Sequence, residues 1–359
     1  MSAGGEAPGR ECAGESPSCN DDARHDDGRA YHAVRRPLAA AYTDDVTIAA
    51  GRAPALEVRG AARRLGGRAV LDGVSCAVAS GTAVVLAGAN GAGKSSLLRA
   101  IAGRLALDAG AIRIDGRDAA AARRGGRLGV VPQDLALDPH LSVRENLRLW
   151  AALAGVRRGE VDDRIDRALE RADLTDRASA RVETLSGGMR RRIHLLAGVL
   201  HAPSLLLLDE PTVGLDRESR GRVYALLDDL RREGTGVLLV SHDLDEAAAR
   251  CDRLVVMHGG RVVADDTAAA LVAQYCHTGG DIVVVPDDGV DAAPLVARGF
   301  AVAPDGAWHR ADDARPTDLR TLDAELRAAG APVREIRWQR PSPSSAVAAI
   351  IATASGGVA

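Results

Sequence analysis

The chain has 359 residues, 46% hydrophobic but only 2% aromatic, with a formal net charge of -3. That length allows two or three domains with a sizeable core, while the near-neutral balance and the lack of a basic run interleaved with aromatics give no footprint for nucleic acid, so no such partner is expected. The longest apolar runs, Leu195–Leu208 (broken by His201 and Pro203) and the alanine-rich run from Ala346, fall short of the ~20 residues that span a bilayer, and no secretory leader pattern opens the chain.

Residues 1–53 are rich in Gly, Ala, Asp and Arg without a sustained period, and are expected to be a disordered tail. Cys12, Cys19, His25 and His32 fall there at gaps wider than finger spacing, among acidic and glycine-rich neighbours, and read as solvated tail rather than a zinc site. Five cysteines at irregular spacing make no disulfide framework and indicate a reduced, cytosolic setting.

From Ala55 short strand signals follow at Leu56–Val58, Ala69–Leu71 and Val74–Val78. Thr82–Ala100, TAVVLAGANGAGKSSLLRA, then runs from an apolar strand through a glycine-rich turn into a helix, and fits G-x-x-x-x-G-K-[ST] with Gly88, Gly93, Lys94 and Ser95. Glycines let a backbone approach a polyphosphate and turn successive N–H groups toward its oxygens. The helix start adds unpaired N–H groups and the positive end of its dipole. Of 46 basic residues Lys94 is the sole lysine. A compact ammonium fits between β- and γ-phosphates in a closed loop where a guanidinium fork is too wide.

Strands at Ala111–Ile114 and Leu128–Val131 come next, the second ending at Pro132-Gln133. Residues from about 138 to 190 take a helical period, with Val161, Ile165 and Leu169 on one face, and form a helical insert. Leu185–Met189, LSGGM, opens a helix bearing Arg190, Arg191 and Arg192. The apolar strand Leu205–Leu208 ends in Asp209-Glu210-Pro211, a helix spans Val223–Leu230, and the strand Val237–Val240 ends in Ser241-His242-Asp243. Strands without alternation, separated by helices, predict a largely parallel sheet covered on both faces. Ligands bind beyond the carboxyl ends of such strands, where Gly88, Gln133, Asp209, Glu210 and His242 all fall.

After a hairpin at Gly259-Gly260 and a helix to about Tyr275, composition shifts at Gly279-Gly280. Residues 280–355 read as a small α+β accessory domain. Its strands are Ile282–Val285, Phe300–Val302, one at Trp308 and Val333–Trp338; its helices are Asp291–Arg298, Leu319–Ala329 and a last one after Pro343.

In this order the phosphate loop, Gln133, LSGGM, LLLLDEP, Gly214–Asp216 and Ser241–Asp243 resemble the ATP-binding cassette (ABC) ATPases over about residues 54–275. The resemblance implies an α/β fold: a P-loop NTPase with a mostly parallel core sheet, an antiparallel β subdomain and a helical insert, followed by the C-terminal α+β extension. It implies ATP and Mg2+, with Gly88, Ala89, Asn90, Gly91, Ala92, Gly93, Lys94, Ser95 and Ser96 around the phosphates. Ser95 would ligate the ion, Asp209 would hold one of its waters, and Gln133 would sense ion and attacking water beside the transporter contact. Glu210 would be the general base or water-orienting carboxylate, and His242 would contact the γ-phosphate and pair with Glu210. With Lys94 and Gln133 these complete the implied catalytic set. Ser186, Gly187 and Gly188, with Asp216, would serve the nucleotide of a second cassette, in a head-to-tail homodimer or pseudo-dimer that ATP closes and hydrolysis releases.

Met189 in place of glutamine, and Val333–Ile350, VREIRWQRPSPSSAVAAI, are similar to the exporter branch of drug-resistance and lipid or polysaccharide type. The implied protein is an ATPase subunit held at the cytoplasmic face of the membrane only through a separately encoded permease. Ser142–Gly155, SVRENLRLWAALAG, fits a haem or cytochrome-assembly exporter ATPase as the alternative. A soluble cassette ATPase is a further one, although those carry two cassettes or a long coiled coil. The family stacks adenine on an aromatic side chain upstream of the loop; Ala61–Gly67, AARRLGG, has none, and Leu65 or Arg64 is expected in its place.

Overall fold

The computed structural model describes residues 53–276, 280–287, 289–302, 306–311 and 318–355. The expected tail, with Cys12, Cys19, His25 and His32, lies outside the described residues.

The first two strands, β1 (Leu56–Leu65) and β2 (Arg68–Val78), form an antiparallel hairpin across Gly66-Gly67. Both glycines take positive φ, 55° and 81°, as a two-residue turn between twisted strands requires. Three short strands are expected here and two long ones are found, because register shifts between Val58 and Ala61, Ala61 and Arg63, and Arg63 and Arg64 interrupt the alternation that marks a strand.

The chain continues through β3 (Ala83–Ala87), α1 (Lys94–Ile101), β4 (Ala109–Ile114), β5 (Arg117–Asp118), α2 (Ala119–Arg124) and β6 (Leu128–Val131). Three helices follow, α3 (Val143–Leu153), α4 (Val161–Arg171) and α5 (Gly187–Val199). Strands and helices then alternate up to a closing hairpin and helix: β7 (Leu205–Asp209), α6 (Arg217–Arg232), β8 (Gly236–Val240), α7 (Leu244–Arg250), then β9 (Arg253–His258), β10 (Arg261–Asp266) and α8 (Ala268–Tyr275).

The central sheet has the order β10-β9-β3-β8-β7-β6. All neighbours pair in parallel except β10, an antiparallel edge on β9. Every residue of β3 and β8 is buried, so neither strand alternates. Successive side chains enter two different cores. Val85, Leu206, Leu208, Val237 and Leu239 pack against Leu147, Ile165, Leu169, Ile193 and Leu227 from the helices of one face. Val84, Leu86, Leu205, Leu207, Leu238 and Val240 pack on the other face against α1 and the antiparallel sheet β2-β1-β4-β5.

A third sheet closes the chain. Its elements are β11 (Asp281–Pro286), α9 (Ala293–Val296), β12 (Ala301–Val302), β13 (Trp308–Ala311), α10 (Leu319–Ala328), β14 (Val333–Gln339) and α11 (Pro343–Ser355), with strand order β12-β13-β11-β14. Ile282, Val284, Leu295, Phe300, Leu322 and Leu326 form its core. The helix expected over 291–298 is a single turn, α9, with Gly299 at φ 78° just beyond it. Helix α11 turns away from this core: Ala346, Val347, Ile350 and Ile351 join the cluster that holds Val85 and Leu206. Asp245 of α7 accepts the Ser344 N–H at 2.8 Å, capping α11 from outside.

Candidate functional site

At the end of β3 the chain turns through Gly88–Gly93 into α1. Gly88, Gly91 and Gly93 hold φ of 143°, 79° and 107°. A Cβ on Gly88 would lie 2.2 Å from the Met257 carbonyl oxygen, and one on Gly93 2.7 Å from that of Val70. Both obstacles are main chain of neighbouring strands, so the loop cannot widen there. Lys94 Nζ folds back and donates to the Gly88 and Ala89 carbonyl oxygens at 2.6 and 3.1 Å. Gly93 caps α1 without a side chain, which leaves the first N–H groups of the helix to an anion. Gly88→Ala is expected to weaken triphosphate binding by more than about tenfold through this clash and the strained φ. Equilibrium titration checks it, and an unchanged affinity would show that the loop yields.

Beside the loop lies a cleft of about 370 Å³, and Gln133, Asp209, Glu210, Ser241 and His242 line it together with Gly88 and residues Asn90–Ser96. The structure therefore gathers the strand-end residues named from sequence along one opening. Glu210 is the most constrained of them. It is only 4% exposed, and it holds φ at 52°, a conformation that costs a non-glycine residue roughly 1–3 kcal/mol. Its N–H is tied to the Val240 carbonyl oxygen at 3.0 Å. Oε2 accepts from the His242 N–H at 2.9 Å, and Oε1 lies 3.5 Å from His242 Nε2. The His242 ring stands at the mouth of the cleft, 60% exposed.

Burial raises the Glu210 carboxyl above its ordinary range, opposed by the His242 N–H and ring. Burial likewise raises Asp209, against His242, Arg99 and Lys94, and lowers the Lys94 ammonium, against Glu210 and Asp209. The Lys94 ammonium thus faces two adjacent carboxylates in a poorly solvated cleft. That arrangement stores charge for a ligand that brings its own.

The loop bearing Gln133 is held by side chains for which sequence reading assigned no role. The Gln133 carbonyl oxygen accepts from Arg191 Nη1 at 2.8 Å, and Arg191 is 6% exposed on α5. One turn on, His194 Nε2 accepts the Ala136 N–H at 3.4 Å, while Trp150 Nε1 donates to the Ala136 carbonyl oxygen at 2.9 Å. Asn146, fully buried, exchanges two hydrogen bonds with the Asp138 main chain at 2.8 and 2.9 Å. The available signal was Arg191 and His194 at helical spacing in a segment otherwise apolar beyond Arg192; a polar residue buried there needs a partner.

Burial, with the Arg191 guanidinium beside it, pushes His194 down to about 4 from 6.5. The unfolded chain therefore takes up this proton first. Stability from the neutral ring is complete above pH 6.5 and is lost as pH falls toward 4. This one group should cost about 2 kcal/mol between pH 7 and pH 5. His194→Gln should flatten that part of the slope in urea midpoints; an identical slope in the variant contradicts it.

Ser186, Gly187, Gly188 and Asp216 do not line the cleft of their own chain. Ser186 caps α5, its Oγ accepting the Met189 N–H at 3.2 Å. Asp216 caps α6, accepting from the Ser219 N–H at 2.8 Å and from Ser219 Oγ at 3.1 Å. A Cβ on Gly188 would sit 2.3 Å from Ser219 Oγ, so the two helix starts abut. Nor do Leu65 and Arg64 reach the cleft. Arg64 Nη2 is spent on the Gly67 carbonyl oxygen at 2.7 Å, and Arg68, Ala69 and Val70 line the wall instead.

Residues 71–213 match the family model described as ABC transporter. The chain is 40% identical over 303 residues to a daunorubicin resistance ATP-binding protein of Streptomyces coeruleorubidus, covering 80% of this chain and 93% of that one. It is 35% identical over 247 residues to a linearmycin resistance ATP-binding protein of Bacillus subtilis, 67% and 78% of the two chains. It is 39% identical over 253 residues to the Nod factor export ATP-binding protein I of Paraburkholderia xenovorans, 68% and 82%. Among solved structures, the ATP-binding subunit of an ABC transporter is similar at a TM-score of 0.56 and 31% identity, over 61% of this chain and 92% of that one. For cbiO1 of Clostridium perfringens, part of the ABC transporter complex cbiONQ, the values are 0.57, 27%, 62% and 91%. No described helix is long and apolar enough to cross a membrane. Identity at this level, over most of both chains and on the same cassette fold, places the protein in the ABC transporter family, as one of its ATP-binding members.

Proposed function

We propose that this protein hydrolyses MgATP to ADP and phosphate as the energy-supplying subunit of an exporter, docked on a separately encoded permease at the cytoplasmic face of the membrane. The observation that carries the reaction is the Glu210 carboxylate, buried and backbone-strained beside His242 at the end of the cleft that begins at Lys94. The names of the resistance and Nod-factor relatives support export. The domain reading is a cassette over 54–275, with its helical insert, and an accessory domain over 280–355.

Lys94 Nζ, now on the Gly88 and Ala89 carbonyl oxygens, is the donor that β- and γ-phosphate oxygens take. Glu210 accepts the proton of a water attacking the γ-phosphorus in line, and the His242 ring orients that carboxylate and meets the phosphate from the mouth. The donors for Mg2+ are Ser95, Gln133 and Asp209, all oxygen. Asp209 is half-buried and its carboxylate makes no hydrogen bond or ion pair among the described residues, which fits an ion that keeps waters between itself and the protein. When bound, the ion neutralises charge on the transferring phosphoryl group. Ser186–Gly188 and Asp216, outside their own cleft, support a second cassette as the partner whose nucleotide they serve.

Phosphate release from MgATP by the purified chain tests the reading. Because the base works deprotonated and burial raises Glu210, turnover should climb with pH through an apparent pKa above the ordinary 4.5. No release at any pH, or turnover that does not fall on acidification, contradicts it.

A further inference from the structure

We propose that β14 is a pairing edge for a second copy of this chain, so that two accessory domains join their sheets antiparallel about Ile336 without help from nucleotide. β14 ends the sheet β12-β13-β11-β14 and is bonded to β11 on one side. Its Val333 carbonyl oxygen accepts from Arg327 Nη2 at 3.1 Å, and from Glu335 to Gln339 the main chain bonds to β11 alone among the described residues. No proline, glycine or register shift breaks that stretch, so its outer edge offers the donors and acceptors that a further strand takes.

The side chains specify which strand. Opposite residues of an antiparallel pair share a face, and a two-fold axis through Ile336 sets Glu335 against Arg337 of the second copy and Arg337 against its Glu335. Within one chain Arg337 Nη1 already holds Glu335 Oε1, both side chains half exposed, so pairing builds an alternating cluster of four charges. On the other face Ile336 meets Ile336, and Trp338 meets Arg334. Ile336 lies opposite Val284 and is only partly buried against the core of its own domain, so a second Ile336 extends that core. Trp338 is exposed, and its ring lies so close over Gly280 that a Cβ there would be 2.2 Å away, which fixes the indole at the surface for a guanidinium to stack on. Moving the axis by one residue destroys the match: at Glu335 it sets carboxylate on carboxylate, and at Arg337 guanidinium on guanidinium. One pair of seven-residue strands is a small interface, so the association is weak and rises with concentration.

Sedimentation of the full chain without nucleotide, from about 1 to 200 µM, tests this on wild type, Glu335→Arg, Arg337→Glu and the double exchange. Wild type should pass from monomer to dimer over that range. Each single exchange gathers like charges around the axis and should weaken the dimer at least about tenfold, with unchanged thermal midpoints showing an intact fold. An equimolar mixture of the two single variants regains both opposite-charge contacts and should form a heterodimer of wild-type affinity; the double exchange should form its own homodimer. A wild type that stays monomeric at the highest concentration overturns the proposal. So do single variants that dimerise like wild type, or a mixture that remains monomeric. Where a single variant does not fold, the double exchange decides, and a folded double variant without a dimer overturns the proposal. Because nucleotide is absent throughout, the result is separate from that of the ATPase reading.

Discussion

Replacing Glu210 by glutamine is expected to lower MgATP turnover by about 10²- to 10⁴-fold while ATP affinity stays within a few-fold. The amide keeps the shape of the carboxylate, so its oxygen still accepts the His242 N–H that now lies 2.9 Å from Oε2. What it lacks is the capacity to take a proton from water. The substitution also removes a charge that burial disfavours, so the fold should not weaken. With hydrolysis blocked and binding intact, the nucleotide-closed form should accumulate and elute as a dimer in MgATP. Turnover near wild type would remove Glu210 from the reaction, and loss of binding would make it a structural residue.

Lys94→Arg, although it conserves charge, is expected to reduce ATP affinity at least tenfold and turnover by about 10²- to 10³-fold. The ammonium sits inside the loop at 2.6 and 3.1 Å from two carbonyl oxygens. A guanidinium needs a wider pocket, and the loop has no freedom to supply it: Gly88 is pressed on the Met257 carbonyl and Gly93 on that of Val70. The chain's own composition makes the same point, since arginine fills 45 of 46 basic positions and is absent from this one. Nucleotide titration and phosphate release measure the effect, and wild-type values would mean that the lone lysine reflects composition rather than chemistry.

Much of the central sheet was legible because β3, β7 and β8 are covered on both faces, and an unbroken apolar strand ending in polar residues needs no long-range information to read. For the same reason Gln133, Asp209, Glu210 and His242 could be assigned to one edge of the sheet before any coordinates. The β1–β2 hairpin was not legible at full length, since its bulges erase the period-two pattern. Leu65 or Arg64 was expected to stand in for the missing upstream aromatic, whereas Arg68, Ala69 and Val70, on the far side of the Gly66-Gly67 turn, line the cleft. The positive φ of Glu210 has no sequence signature. The bonds from Arg191 and His194 to the segment 133–136 each cross 58 residues of chain, so both looked like ordinary polar residues until their partners were visible. Helix α11 had only an alanine-rich composition to show, and its burial beside Leu206 depends on a return of the chain that no local pattern encodes.

The central claim is that holding the nucleotide and cleaving it are done by different side chains of one cleft. The direct test measures ATP binding and phosphate release side by side in wild type, Glu210→Gln and Lys94→Ala. Release should vanish with binding retained in Glu210→Gln, and both should vanish in Lys94→Ala. If binding and release instead fall in parallel in both variants, or survive in both, the division of labour between Lys94 and Glu210 is wrong.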